Sequence, residues 1–177
     1  MLDLPTFFER EKMSENDLIL AILGVLEREL SENSRRATDT AEGATHEESR
    51  PENPKDTRGL EASYLAHGLA KRSAALEADI RLLRGLPPQN FDENSLIASG
   101  AWLTLEDEDG KLSDVALLPA AGGVRVTVGG RAVRVVTPSA PLGRALLDRR
   151  CGETVELPAA RGTPPREWVI IEVRSAR

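Results

Sequence analysis

The sequence predicts an α+β chain: an N-terminal antiparallel coiled-coil hairpin followed by a small β-sheet domain with one short helix. Three observations predict it. Residues 1–86 are rich in Glu, Arg, Ala and Leu, whereas 91–177 are rich in Val, Gly, Thr and Pro. Apolar residues recur at helical spacing in the first part and in short alternating runs in the second. A polar, acidic interruption at 46–58, HEESRPENPKDTR, divides the helical part in two.

Helix one is expected to begin near Ser14, which can cap it, with Asp17 three residues on. Leu18, Ile22, Val25 and Glu29 follow one stripe, with Leu23, Leu26 and Leu30 beside it. The stripe then thins to Ala37, Ala41 and Ala44. Gly43 weakens the helix, and its end falls between Gly43 and Pro51. Helix two is expected from near Thr57 to about Arg84. Its Leu65, Leu69, Leu76, Ile80 and Leu83 have the spacing of a two-helix seam. Ala62, Ala66 and Ala70 permit close approach, and Glu77 with Arg81 forms a favourable i,i+4 ion pair. Pro87 and Pro88 stop the helix, since the ring removes a donor and restricts the preceding residue. The boundary is placed at 86–91.

Beyond it, WLTLEDEDG (102–110) and LSDVALLPA (112–120) read as strands joined at Asp109-Gly110. VRVTVGGRAVRVVTP (124–138) reads as hairpin strands turning at Gly129-Gly130. SAPLGRALLDRR (139–150) is the helix of this half. Ser139 can cap it, Pro141 suits its first turn, and Arg149 and Arg150 oppose the dipole at its end. TVELP (154–158) and REWVIIEVR (166–174) alternate as paired strands. Trp102 and Trp168 fall in strands as core or half-core residues.

The bulk numbers exclude several classes. A net charge of -6 and a pI near 5.1 argue against indiscriminate binding to a nucleic-acid backbone, and three Phe, two Trp and one Tyr make no base-stacking platform. One cysteine excludes an internal disulfide framework and fits a reducing cytoplasm. MLDLPTFFEREK does not read as a signal peptide, and LILAILGVL (18–26) is too short to span a bilayer. A soluble, cytoplasmic protein is expected. His46, His67 and Cys151 have no common metal-ligand spacing. Cys151, although near Arg149 and Arg150, lacks a Cys or His partner and reads as a buried or idle thiol.

The interruption carries Glu47, Glu48, Glu52 and Asp56. Such a hairpin tip can hold a divalent cation or enter a basic partner, but it cannot build a core. Each acid also has a plain reading: Asp56 as the cap of helix two, the glutamates and Glu61 as solvated surface.

The stretch TPSAPLGRALLDRRCGETVELP, followed by EWVIIEV, resembles the C-terminal domain of the bacterial Gre transcript-cleavage factors. The matching residues are Ser139, Pro141, Leu142, Gly143, Arg144, Ala145, Leu146 and Leu147 in the helix, then Gly152, Glu153, Val155 and Glu156. The resemblance covers about 95–175 and implies an FKBP-like fold. It also implies a coiled coil ahead of that domain, with acids at its tip and a Tyr in helix two, which Tyr64 matches. The family's Gly-Asp-Leu-Ser-Glu-Asn run is not reproduced in ENPKDTRGLEASY (52–64).

The resemblance implies a factor that is not itself an enzyme. Its partner is bacterial RNA polymerase, with the coiled coil in the secondary channel near the RNA 3′ end. There the tip carboxylates Asp56, Glu61 and Glu52 would promote cleavage of backtracked RNA, with Asp56 and Glu61 sharing a transient Mg²⁺ with the polymerase. No cofactor is held stably, and no independent DNA or membrane contact is implied; a monomer is expected. Glu47, Glu48, Arg58, Tyr64, Ser139, Pro141, Leu142 and Arg144 are the implied polymerase contacts. Arg35, Arg36, Arg50, Lys55 and Arg58 mix positive charge into stalk and tip. They support an alternative: a Gre-like channel binder that inhibits or retunes transcription without cleavage. An FKBP-like isomerase or chaperone would need clustered aromatics, and this half has only Phe91, Trp102 and Trp168. A structural coiled coil with no polymerase contact is the remaining reading.

Overall fold

A computed structural model of the chain describes residues 16–45, 58–157 and 165–176. Two long helices, α1 (Asn16–Thr45) and α2 (Arg58–Arg84), lead into strands β1 (Ala101–Asp107), β2 (Leu112–Leu117), β3 (Arg125–Val128) and β4 (Arg131–Val136). A short helix, α3 (Pro141–Leu146), and strands β5 (Thr154–Leu157) and β6 (Arg166–Ser175) complete the chain. This is the expected α+β order. The cap expected at Ser14 lies outside the described residues.

The strands form one sheet in the order β3-β4-β2-β1-β6-β5. All neighbours are antiparallel except β2 and β4, which run parallel. The β3–β4 connection is Gly129-Gly130, with φ of 58° and 76°. Two successive positive φ angles are what a tight twisted hairpin requires, and glycine adopts them without steric cost. Gly110, at φ 75°, closes the β1–β2 turn by donating its N–H to the Asp107 carbonyl at 2.9 Å.

Because strand side chains alternate, the sheet has two covered faces. On one, Leu103, Leu105, Val115, Leu117, Ile170 and Val173 pack with Leu142 and Leu146 of α3. On the other, Trp102, Ala116, Leu118, Val133 and Val135 join Leu18, Ile22 and Leu26 of α1 and Leu76, Ile80 and Leu83 of α2 in one cluster. The foot of the hairpin is therefore part of the sheet's core. Two largely exposed ion pairs, Arg72–Glu29 at 2.5 Å and Arg84–Glu27 at 2.7 Å, bridge the antiparallel helices. The expected Glu77–Arg81 pair forms at 3.8 Å.

The expected seam is only partly present. Leu76, Ile80 and Leu83 are buried, Leu69 is half-buried, and Leu65 is 55% exposed. The reason lies on α1, where the facing stripe thins to small residues and offers Leu65 no apolar surface to cover.

The connection at 85–91 is tacked down at both ends. Leu86 is buried in the hairpin-side cluster and Phe91 packs against the α3-side cluster. Ser175 Oγ donates to the Gln89 carbonyl at 2.5 Å and accepts the Phe91 N–H at 3.2 Å. The closing strand thus holds the linker.

Candidate functional site

The far end of the hairpin is set by helix length. At ~1.5 Å per residue, α2 carries its first turn roughly 40 Å from its foot. Asp56, Glu52, Glu47 and Glu48 lie outside the described residues, as do His46, Arg50 and Lys55. Arg58 is the first residue of α2, and Glu61 sits in its first turn, exposed. A carboxylate there is favoured by the positive end of the helix dipole. Tyr64, 70% exposed, and Leu65 lie three and four residues on, so the three share one face. The distal stalk therefore presents an acid, a phenol and a leucine side by side to solvent. Among the described residues, no group of three or more His, Cys, Asp or Glu is placed to hold a metal ion.

The expected 139–150 helix is shorter than the sequence suggests. It spans Pro141–Leu146, its N-cap is Ala140, and no side chain caps it. Ser139 Oγ instead lies 3.0 Å from Thr137 Oγ1, and the Ser139 carbonyl accepts from Arg144 Nη1. At the other end Leu147 leaves the helix at ψ 139° and Asp148 takes φ 60°. The cause is a competing partner. Asp148 N–H donates to the Ile97 carbonyl at 2.9 Å, and Ile97 N–H donates to the Arg149 carbonyl at 2.8 Å. Arg149 and Arg150 therefore follow the helix and do not end it. Arg149 pairs with Glu153 at 3.3 Å, and Arg150 donates to the Asn94 carbonyl.

Within the motif, exposure separates two kinds of residue. Ser139, Pro141 and Arg144 face solvent, whereas Leu142, Gly143 and Leu146 are buried. Gly143 has a specific steric cause. A Cβ built there would collide with the Thr137 carbonyl oxygen and lie 2.8 Å from the Thr137 carbonyl carbon. The helix seats directly on the 137–138 backbone, and only glycine permits that approach.

A charged cluster on the hairpin side of the sheet was not anticipated from sequence. Arg131 donates from Nε to Asp114 Oδ2 at 2.7 Å, from Nη2 to Asp114 Oδ1 at 2.6 Å, and from Nη2 to Thr104 Oγ1 at 2.8 Å. Thr104 is buried, and its hydroxyl lies 3.0 Å from Asp114 Oδ1 and 3.2 Å from Glu172 Oε2. Arg174 stands at ion-pair distance from Glu172, 3.5 Å, and from Asp114, 3.9 Å, with its guanidinium 4.1 Å above the Trp102 ring. Burial pushes the Arg174 guanidinium below its ordinary value, and Glu172 pulls it back up. The cluster ties β1, β2, β4 and β6 together beside the hairpin foot. The signal for it was present in the alternation: Thr104, Asp114, Glu172 and Arg174 fall at inward positions of strands whose other inward residues are apolar.

Trp102 is buried and Trp168 half-buried, and His67 is exposed. Cys151 is a free, half-buried thiol whose Sγ lies 3.2 Å from the Ile171 carbonyl.

No protein-family model matches the chain, and no curated protein matches it. Solved structures do match. The GreA factor homolog 1 (Gfh1) protein of Thermus thermophilus is 21% identical, over 89% of this chain and 94% of that one, with a TM-score of 0.37. Thermus aquaticus Gfh1 is 18% identical, over 88% and 95%, with a TM-score of 0.36. The prokaryotic transcription elongation factor GreA/GreB from Nitrosomonas europaea is 19% identical, over 65% and 92%, with a TM-score of 0.34. The shared feature is architectural: a two-helix region followed by a mixed sheet with one short helix. Two of these three structures are Gfh1. With that finding the expectation of a factor that promotes RNA cleavage is corrected and is not carried forward. No described helix is long and apolar enough to cross a membrane.

Proposed function

We propose that this chain is a Gre-like factor that binds bacterial RNA polymerase, inserts its hairpin into the secondary channel and retunes transcription without stimulating RNA cleavage. The observation that carries this reading is the hairpin itself. Its foot is locked into the core of the sheet domain by Leu18, Ile22, Leu76 and Leu83. Its far end, the first turn of α2, lies roughly 40 Å away, and in the sequence the acidic and basic residues of 46–58 join the two helices there. A lever of this kind does nothing for the sheet's own stability at its far end; its length suits a deep, narrow site in a partner.

The mixed charge of the tip supports modulation over cleavage. Arg50, Lys55 and Arg58 lie among Glu47, Glu48, Glu52 and Asp56. Cations so close compete with a metal ion for the same carboxylates. In this reading the tip fills the channel and pairs with charged groups there. Tyr64, Glu61 and Leu65 contact the channel wall, and the exposed Ser139, Pro141 and Arg144 contact its rim. The chain works by contact, without chemistry of its own, in the cytoplasm.

The test uses a cognate polymerase halted in a backtracked complex with Mg²⁺. The expected result is binding, slower nucleotide addition and no added short 3′ RNA products. Cleavage products above the polymerase's own level would overturn the non-cleaving reading. Failure to bind polymerase would overturn the channel-binding reading altogether.

A further inference from the structure

We propose that the hairpin is built in two mechanical parts, a locked proximal half and a distal half that opens separately, divided at Asn33 of α1 and Gly68 of α2. The inference is independent of the partner assigned above.

The proximal half is closed by side chains with almost no exposure: Leu18, Ile22, Leu26, Leu76 and Leu83. The Arg72–Glu29 ion pair stands at its outer limit. In an antiparallel pair, four residues forward on α1 and four back on α2 move one turn outward on both helices. From Glu29 and Arg72 that step reaches Asn33 and Gly68.

Both helices are weak at this level. Asn33 is 7% exposed, and its Nδ2 has no hydrogen-bond partner among the described residues. A buried amide donor left unpaired loses its water without replacement, so the closed state is penalised there. Gly68 is exposed, and a Cβ at that position would meet nothing within 4 Å. Glycine inside a helix also favours the open chain through its backbone entropy.

Beyond the boundary no described side chain of either helix is buried. Ala37 and Ala66 are half-buried, and Tyr64 and Leu65 are exposed. Three α1 hydroxyls turn back on their own helix. Ser34 donates to the Leu30 carbonyl at 3.0 Å, Thr38 to Ser34 at 3.1 Å and Thr40 to Arg36 at 2.7 Å. Such bonds bend helices and add nothing across the pair. The distal segments, 34–45 and 58–67, are each roughly three helical turns long, a length that is marginal for an isolated helix. Once the weak seam parts, neither segment has the length to hold itself.

Amide hydrogen exchange on the full chain tests this. Amides at 36–44 and 62–67 are expected to exchange at least about ten-fold faster than those at 20–28 and 74–83, after correction for intrinsic rates. Gly68→Ala, which fits the open space, should slow the distal set about five-fold and leave the proximal set unchanged. Asn33→Leu should act in the same direction. Equal protection of the two sets would overturn the proposal, as would equal slowing of both by Gly68→Ala. Faster distal exchange that Gly68→Ala leaves untouched would overturn the boundary.

Discussion

The two faces of the sheet are covered by opposite means. On one face α3 comes down onto the backbone itself: Gly143 sits against Thr137 and Pro138, and a helix of six residues suffices. On the other the hairpin foot stands off on leucine and isoleucine side chains, and each helix continues far past the sheet. Close backbone approach fixes a small element with few residues but tolerates no side chain at the contact. Side-chain packing needs more residues and more buried area, but it can anchor a long lever. The difference teaches where each element is fragile.

Five substitutions and one titration sharpen this comparison. Leu83→Ala should cost most, about 3 kcal/mol of unfolding free energy in a denaturant melt, because it opens a cavity where hairpin and sheet meet. Gly143→Ala should cost about 2 kcal/mol in the same assay, since the added methyl must push α3 off the 137–138 backbone. A smaller or absent loss there would mean that the helix seats on side chains after all. Asp79→Ala should cost about 1 kcal/mol. Asp79 Oδ2 accepts the Ala121 N–H at 3.2 Å, from a residue held at φ 61°, and ties α2 to the loop after β2. Leu65→Ala, on the same helix and in the same expected seam as Leu83, should change stability by less than about 0.5 kcal/mol. A large loss there would restore the full-length seam.

The smallest effect is electrostatic and lies in the linker. Asp92 accepts from Ser95 Oγ at 2.6 Å and from the Asn94 N–H at 3.0 Å, and these bonds hold its carboxyl below the ordinary aspartate value. With the folded value depressed, its contribution is complete above the unfolded pKa and is lost as pH falls through the folded one. An NMR titration of the Asp92 carboxyl should therefore show a midpoint below that of a free aspartate. Ser95→Ala should move that midpoint upward.

Much of this fold was legible because its signals are local. Gly129-Gly130 names its turn through the φ angles it permits, and Pro87-Pro88 ends α2 on backbone grounds alone. The order Ser-Ala-Pro-Leu-Gly-Arg marked a helix start correctly. Its expected cap was misplaced, because whether Ser139 turns toward the helix or toward Thr137 depends on a neighbour from the preceding loop. The same limit shortened the helix, since Ile97, some fifty residues upstream, takes the hydrogen bonds that would have extended it. For the candidate site, Glu61, Tyr64 and Arg144 were found as polar or matching residues, and they lie exposed. Leu142 was grouped with them because a motif lists residues without saying which way they face.

By itself, the sequence determined the order of elements, the hairpin with a charged tip, and the placement of the turns. These follow from backbone preferences and from hydrophobic spacing, which act over a few residues. Only the tertiary structure decided that the hairpin foot is part of the sheet's core and that Leu65 is left uncovered. It alone decided that Asp114, Arg131, Glu172 and Arg174 meet beside that foot. Each of these depends on what stands opposite a side chain, and strands and helices far apart in the chain supply the opposite side.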